Sequence, residues 1–344
     1  NRLYLTPQLS YPMQTSWGYL TPKVSLDATS YQIDGVAGAA NTNLTRTLPT
    51  LSVDSGLTLE RELTSFSLFG RPMVQTLEPR VLYVYTPYRE QMQIPLFDTA
   101  EKDFGFASIF SENPFVGHDR IADNNKLTAG LTSRWFEAES GVQRMSATIA
   151  QRFDFSGQRV MLDSTQIAAN KLYSDLLAAA SVRTIADTDI DTLVDYSQQL
   201  SQVMRSSIGA RWHPGLYRSL FVGYSYKRPL SEQDATAFDQ VLLSAQWPLA
   251  PRVVAVARYN YDMQNKSVVD TLAGLEYDAG CWTGRIVAQR FANTQQTMTT
   301  HIYFQLELHG LSKVASSTMS VLRLNVPGYK PLAPQPVSVP PNDD

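Results

Sequence analysis

The chain has 344 residues, of which 18% are charged and 10% aromatic, against about 25% charged in ordinary soluble domains. Its 29 Lys and Arg nearly balance 32 Asp and Glu, so the net charge of −3 leaves no electrostatic footprint for nucleic acid. The longest apolar runs, such as Leu176–Ala180 and Val253–Ala257, are about five residues, far short of the roughly 18 that a spanning helix needs.

Period-two alternation recurs from end to end, and helical periodicity is scarce. The chain opens at Asn1-Arg2-Leu3-Tyr4 with no charged n-region, apolar stretch or cleavage site, so it reads as already inside a strand of a longer precursor. Strands are expected first over 3–13 and 17–30, interrupted by Pro7, Pro12 and Pro22. Each proline removes a ladder donor and so marks a bulge, an edge or a weakly paired site, as does Pro79 further on; a barrel built to open sideways would use such sites. Segment 48–61 sets Leu51, Val53, Ser55, Leu57 and Leu59 against Ser52, Asp54, Gly56, Thr58 and Glu60, and a strand over 72–86 follows. Beyond a long connection, 126–137 sets Leu127, Ala129, Leu131, Ser133 and Trp135 against Lys126, Thr128, Gly130, Thr132, Arg134 and Phe136. Strands 142–155, 173–186, 190–200 and 204–212 come next. Segment 219–228 opposes Leu220, Val222, Tyr224 and Tyr226 to Phe221, Gly223, Ser225 and Lys227. After 238–248, segment 252–263 opposes Val253, Ala255, Ala257, Tyr259 and Tyr261 to Val254, Val256, Arg258, Asn260 and Asp262. Strands 269–278 and 282–291 precede the last, 299–309, where Ile302, Phe304, Leu306 and Leu308 oppose His301, Tyr303, Gln305, Glu307 and His309.

Within the segments laid out face by face, charges keep to one face, apart from Arg228 at a strand end. A Lys or Arg on the lipid face of a barrel costs about 2–4 kcal/mol at the midplane. A soluble sandwich alternates too, with its apolar face inward. Three features favour the membrane. The strands run about 9–14 residues, enough to cross when tilted, whereas globular strands average about 5–6. Aromatics such as Tyr83, Tyr85, Trp135, Trp247, Tyr259 and Tyr261 sit at the ends of apolar faces, as interfacial girdles do. Connection lengths alternate: 14–16, 62–71, 138–141, 187–189, 213–218, 249–251 and 279–281 are mostly tight, while 31–47, 87–125, 156–172, 229–237, 264–268 and 292–298 are mostly longer, with 201–203 the exception. Short periplasmic turns and longer external loops have this pattern. The fold class is therefore an all-β, up-and-down transmembrane antiparallel barrel over 1–311. Fifteen strands are an odd number, so at least one upstream strand is expected outside this chain. After residue 312, Ser316 to Leu324 reads as a short strand or turn. The tail to residue 344, rich in proline from Pro327 to Pro341, reads as extended or disordered and hanging on the periplasmic side.

Little in the sequence speaks for catalysis. Asp187-Thr188-Asp189-Ile190-Asp191 has the opening of a calcium loop, but Thr192 and Gln198 stand where a glycine and an acidic ligand belong, so a solvated turn is the better reading. His118, His213, His301 and His309 lack metal-ligand spacing, and no nucleophile elbow is present; no catalytic, metal or cofactor site is expected. Cys281 is the only cysteine. It suits either a reduced protein or an oxidised one whose partner cysteine lies outside this segment, and the strand reading places it on a periplasmic turn.

Several stretches carry a resemblance. They include Gln75-Thr76-Leu77-Glu78-Pro79-Arg80 leading to Tyr85-Thr86-Pro87-Tyr88-Arg89, Gly117-His118-Asp119-Arg120-Ile121-Ala122, and Leu127 to Arg134. Tyr19-Leu20-Thr21-Pro22-Lys23, Ala245-Gln246-Trp247-Pro248-Leu249, Arg258-Tyr259-Asn260-Tyr261-Asp262, Cys281-Trp282 and Glu307-Leu308-His309-Gly310-Leu311 complete them. Together they resemble the LptD family of lipopolysaccharide-assembly proteins, also called organic solvent tolerance proteins. The resemblance implies the C-terminal barrel portion of a protein in the bacterial outer membrane. There, lipopolysaccharide reaches the barrel along a periplasmic bridge through an N-terminal domain, the lipoprotein LptE plugs the lumen, and cargo leaves into membrane lipid through a lateral gate. One lip of that gate would be the last strand, with His301, Ile302, Tyr303, Phe304, Gln305, Leu306 and Glu307. Glu78, Arg80, Lys126, Arg134 and Arg258, with Glu307, would face the lumen and meet the plug or the glycan. The family pairs two adjacent cysteines with the N-terminal region; here Gly280 stands in place of the first, so only Cys281 would form such a disulfide. A general diffusion porin, complete within about 16–18 strands, and an outer-membrane hydrolase are the rival readings.

Overall fold

A computed structural model describes residues 1–33, 42–68, 70–102, 104–162, 173–229, 237–292, 298–308 and 317–332. The alternating segments form antiparallel ladders, pairing mostly with the next strand in sequence and with few register shifts. They divide into two compact units, residues 1–180 with 194–204, and residues 181–193 with 205–344.

In the first unit, β1 (Arg2–Leu5), β2 (Gln8–Ser10) and β3 (Met13–Thr15) all pair with β4 (Gly18–Ile33). β4 pairs with β5 (Thr42–Leu57), and β5 and β6 (Leu59–Leu68) share one edge of β7 (Arg71–Thr86). β7 pairs with β8 (Asn124–Glu137), and β8 with β9 (Gln143–Asp154). β10 (Leu176–Arg183), which pairs with β9, and β11 (Thr188–Ser197) are each divided between the two units. In the second unit β12 (Gln202–Gly215, from Arg205 on), β13 (Arg218–Lys227), β14 (Phe238–Ala250), β15 (Val253–Asp262), β16 (Ser267–Asp278), β17 (Trp282–Ala292) and β18 (Met298–Leu308) follow one another in a meander.

Among the described residues eighteen segments thus stand where fifteen were expected, and the difference lies in breaks rather than added turns. The expected strand 3–13 breaks at Pro7 and Pro12, and the expected 48–61 runs on to Leu68 with a break at Thr58, so 62–71 is mostly strand. The prolines explain the breaks. Pro79 keeps its place in the ladder with β8, opposite Leu131, but its other edge faces the gap between β5 and β6, where no N–H is required of it. Pro22 pairs with Val53 of β5 and turns its donorless edge toward the gap between β2 and β3, while its carbonyl accepts from Tyr11 N–H at 3.0 Å.

Exposure decides between sandwich and membrane. Along β18, Ile302 and Phe304 are 71% and 72% exposed whereas Gln305 is 8%. On β17, Arg285 and Thr283 are buried and Ile286 is exposed; in the first unit Asp27 and Arg46 are buried while Val24, Leu51 and Val81 are exposed. A soluble sandwich would bury the apolar face. Here that face is the outer one, and the charges are held inside, which is the arrangement hydrocarbon demands. At the tight-turn ends of the second unit, Trp212 and Trp247 lie 6.2 Å apart with Arg218 over Trp247, and Tyr277 meets Trp282 edge-on at 5.5 Å. These rings form a girdle where bilayer meets water. Ile286→Arg is expected to lower stability by about 2–4 kcal/mol and Gln289→Arg, on the opposite face, to change it little. Urea midpoints of the barrel refolded in lipid measure both.

Candidate functional site

The inner face of the wall is largely covered. In the first unit the connection after β7 folds back over it. Its short helix α1 (Phe106–Ile109) buries Ile109 against Ala150 and Leu177, flanked by Phe104, Phe106 and Phe110, and Phe110 lies under the Arg80 guanidinium at 4.4 Å. Lys126 Nζ donates to the Glu112 carbonyl at 2.9 Å and Thr128 Oγ1 to the Ile109 carbonyl at 3.2 Å, so β8 side chains satisfy loop backbone. The deepest lock is Arg46. It donates to Asp27 Oδ1 at 2.6 Å, to Gln91 Oε1 at 2.7 Å, and to the carbonyls of His118 and Asp119 at 2.6 and 2.9 Å. Asp119 in turn accepts from the backbone N–H groups of Phe97 and Asp98, from Tyr31 and from Arg2. Burial pushes the Asp119 carboxyl up, yet these donors together hold it below its usual value. The Arg2 guanidinium does the same for Asp98. Tyr4 stacks on His118 at 3.9 Å. A polar cavity of about 240 Å³ remains, lined by residues including Gln8, Lys23, Asp27, Glu112 and Asn124.

In the second unit the cover comes from beyond the last strand. Ser317–Asn325 is a helix, α2, where a short strand or turn was expected, and residues 317–332 pack on the wall rather than hanging free. Helical spacing puts Thr318 and Leu322 on one buried face with Val326 a turn further on. Leu322, Val326 and Tyr329 cover the inward-facing Val256, Leu272 and Val287. The rest of the Pro-rich tail and His309 lie outside the described residues.

The side chains expected to face the lumen all lie on the inner, charged face, but in different states. Arg80 pairs with Asp54 at 2.6 Å and Arg134 with Glu78 at 3.1 Å, both arginines remaining over 40% exposed. Lys126 is buried under the loop, and Arg258 is spent on Asp270 at 2.7 Å and on the Asn325 carbonyl at 2.7 Å. On β18, His301 is exposed with Tyr303 Oη 3.2 Å away, Gln305 is buried, and Glu307 binds Arg285 at 2.8 Å. Asp189, in the calcium-like stretch, pairs with Arg183 at 2.8 Å. Cys281 is exposed on the turn after β16, next to Gly280, whose φ of 88° is a left-handed conformation that disfavours any other residue. Sequence reading missed Arg46, Glu276, Arg285 and Tyr329. For the first three the one signal was a charged group on an inner face at a position aligned across strands, visible only once register is known; Tyr329, beyond α2, gave no such signal.

A wall that exposes its apolar side, buries its ion pairs and folds its own segments over the inner face defines part of an outer-membrane β-barrel. The family profile described as LptD, LPS transport system D, matches residues 1–253. LPS-assembly proteins LptD of Cupriavidus necator and Ralstonia nicotianae are each 47% identical over 98% of this chain, and the chain spans 42% of the length of either. The relative from Burkholderia ambifaria is 42% identical over 98% of the chain. The chain belongs to the LptD family.

Proposed function

We propose that this chain forms the C-terminal wall of a conduit that carries lipopolysaccharide into the outer leaflet. The observation that carries the reading is the inverted wall, apolar outside and charged within, in a chain whose relatives are named LPS-assembly proteins. The polar inner face accommodates the saccharide while acyl chains pass into lipid beside β18. Arg80, Arg134 and Glu78, paired yet partly exposed, are the inner charges that remain reachable by glycan or by the LptE plug; Lys126 and Arg258 serve the fold itself. The N-terminal domain and the periplasmic bridge lie outside this chain in this reading. A diffusion porin fits less well, because folded segments occupy the inner face in each unit.

His301 is the inward gate-strand position that stands exposed, so a photoreactive residue there is expected to capture lipopolysaccharide in cells. Labelling confined to strands of the first unit would reject the gate assignment, and single-channel conductance in planar bilayers without lipopolysaccharide export would favour the porin. Cys281 is proposed to pair with a cysteine of the N-terminal region. Cys281→Ser should then change the mobility of the full-length protein on non-reducing gels; equal mobilities would remove the bond.

A further inference from the structure

Residues 317–332 make more contacts than covering an apolar patch requires. Side chains from neighbouring strands read their backbone directly. Gln246 of β14 donates to the Lys330 carbonyl at 2.7 Å and accepts from the Lys330 N–H at 2.9 Å, as a ladder partner would. Arg258 of β15 holds the Asn325 carbonyl, and Tyr217 holds the Leu332 carbonyl at 3.1 Å. From Tyr329 a polar chain then crosses the wall: its hydroxyl donates to Glu276 of β16 at 2.9 Å, Glu276 accepts from Arg285 of β17 at 2.9 Å, and Arg285 reaches Glu307 of β18 at 2.8 Å. Tyr303 of β18 packs against the cluster formed by Leu322 and Val326.

On β18 these ties reach Tyr303, at the middle of the strand, and, through Arg285, Glu307. Register puts Leu308 opposite Trp282 at the tight-turn end and Met298 opposite Ala292 at the other. Glu307 therefore belongs to the periplasmic half by the rule that short turns lie on that side, whereas His301, an inward position toward the external end, is exposed. We infer that residues 317–332 are a built-in splint that clamps the periplasmic half of β18 to the wall, so that parting of the seam is confined to the external half, at the depth of the outer leaflet. The inference rests on the reading of β18 as a gate lip, and it adds where along the lip motion is allowed. The splint fixes a direction of release: cargo meets a closed seam at inner-leaflet depth and an openable one above it.

The test uses the full-length protein in cells. Photoreactive residues at His301 and at Leu308 report contact with lipopolysaccharide. In the parent, capture is expected at His301 and at least ten-fold less at Leu308. In the Gln246→Ala, Tyr329→Phe double variant, Leu308 capture should rise to within about two-fold of His301. Heat-modifiable gel mobility checks that this variant folds; if it does not, Tyr329→Phe alone, which deletes one hydroxyl, is expected to give a smaller rise. A bis-maleimide bridge between Tyr303→Cys and Val321→Cys should change export less than two-fold relative to the same double variant left unbridged. Equal capture at both positions in the parent, an unchanged ratio in the folded variant, or export abolished by the bridge would each overturn the splint. Capture at neither position in any variant would instead remove the gate reading beneath it.

Discussion

Replacing Arg285 with alanine is expected to destabilise the barrel by about 3–5 kcal/mol, the largest effect of any single substitution in the second unit. The guanidinium has no exposed surface, and it binds Glu276, equally buried, and Glu307, 14% exposed. Taking charges out of water is costly, and the arrangement is favourable only while each has its partner. Removing the cation strands two carboxylates, one of them within an apolar cluster beside Tyr329. Replacing the set together, as Arg285→Met with Glu276→Gln and Glu307→Gln, leaves no uncompensated charge and should recover most of the loss. Urea denaturation of the full-length protein in lipid, followed by gel mobility, measures both variants. A loss below about 1 kcal/mol, the size expected for surface pairs, would mean that water reaches this site and that the cover does not seal it.

Arg46→Ala is expected to release the long connection of the first unit with a comparable cost. Its guanidinium serves one carboxylate, one amide, one hydroxyl and two backbone carbonyls, and it is the group by which β5 holds the stretch around His118 and Asp119. A buried acceptor left without a donor costs about 1–3 kcal/mol, and more where charge is involved. Arg46→Lys keeps the charge but, as a point donor, cannot span all five acceptors, so it should rescue only part of the effect. Limited proteolysis reports the result: cleavage within 87–123 is expected to accelerate at least ten-fold in Arg46→Ala while the strands stay protected. Unchanged cleavage would show that the aromatic cluster around Ile109 holds the loop unaided.

Alternation and charge segregation made the strands, their order and their outward faces legible, because hydrocarbon on one side penalises every misplaced charge. Pro22 and Pro79 were legible as irregular positions, though not as the partners of gaps in neighbouring strands. What the pattern concealed was the cover. Val254, Val256 and Val287 sit on an inner face and so weaken the alternation in β15 and β17; without knowledge of α2 they look like noise. The segment that covers Val256 and Val287 was masked in turn by its composition, since the prolines from Pro327 onward suggest an extended tail. Arg46 and Arg285 were hidden for a different reason: in a polar lumen a charged residue is ordinary, and only register brings Asp27 or Glu276 to its side.

The covering helix has a consequence for biosynthesis. Translation delivers residues 317–332 after every strand they touch, so a nascent or prematurely ended polypeptide carries Val256, Leu272 and Val287 bare on what will be its wet side. Such a product would be sticky on both surfaces, whereas the finished one is sticky only where lipid will meet it. Completion of the polypeptide is thereby written into the polarity of its inner wall.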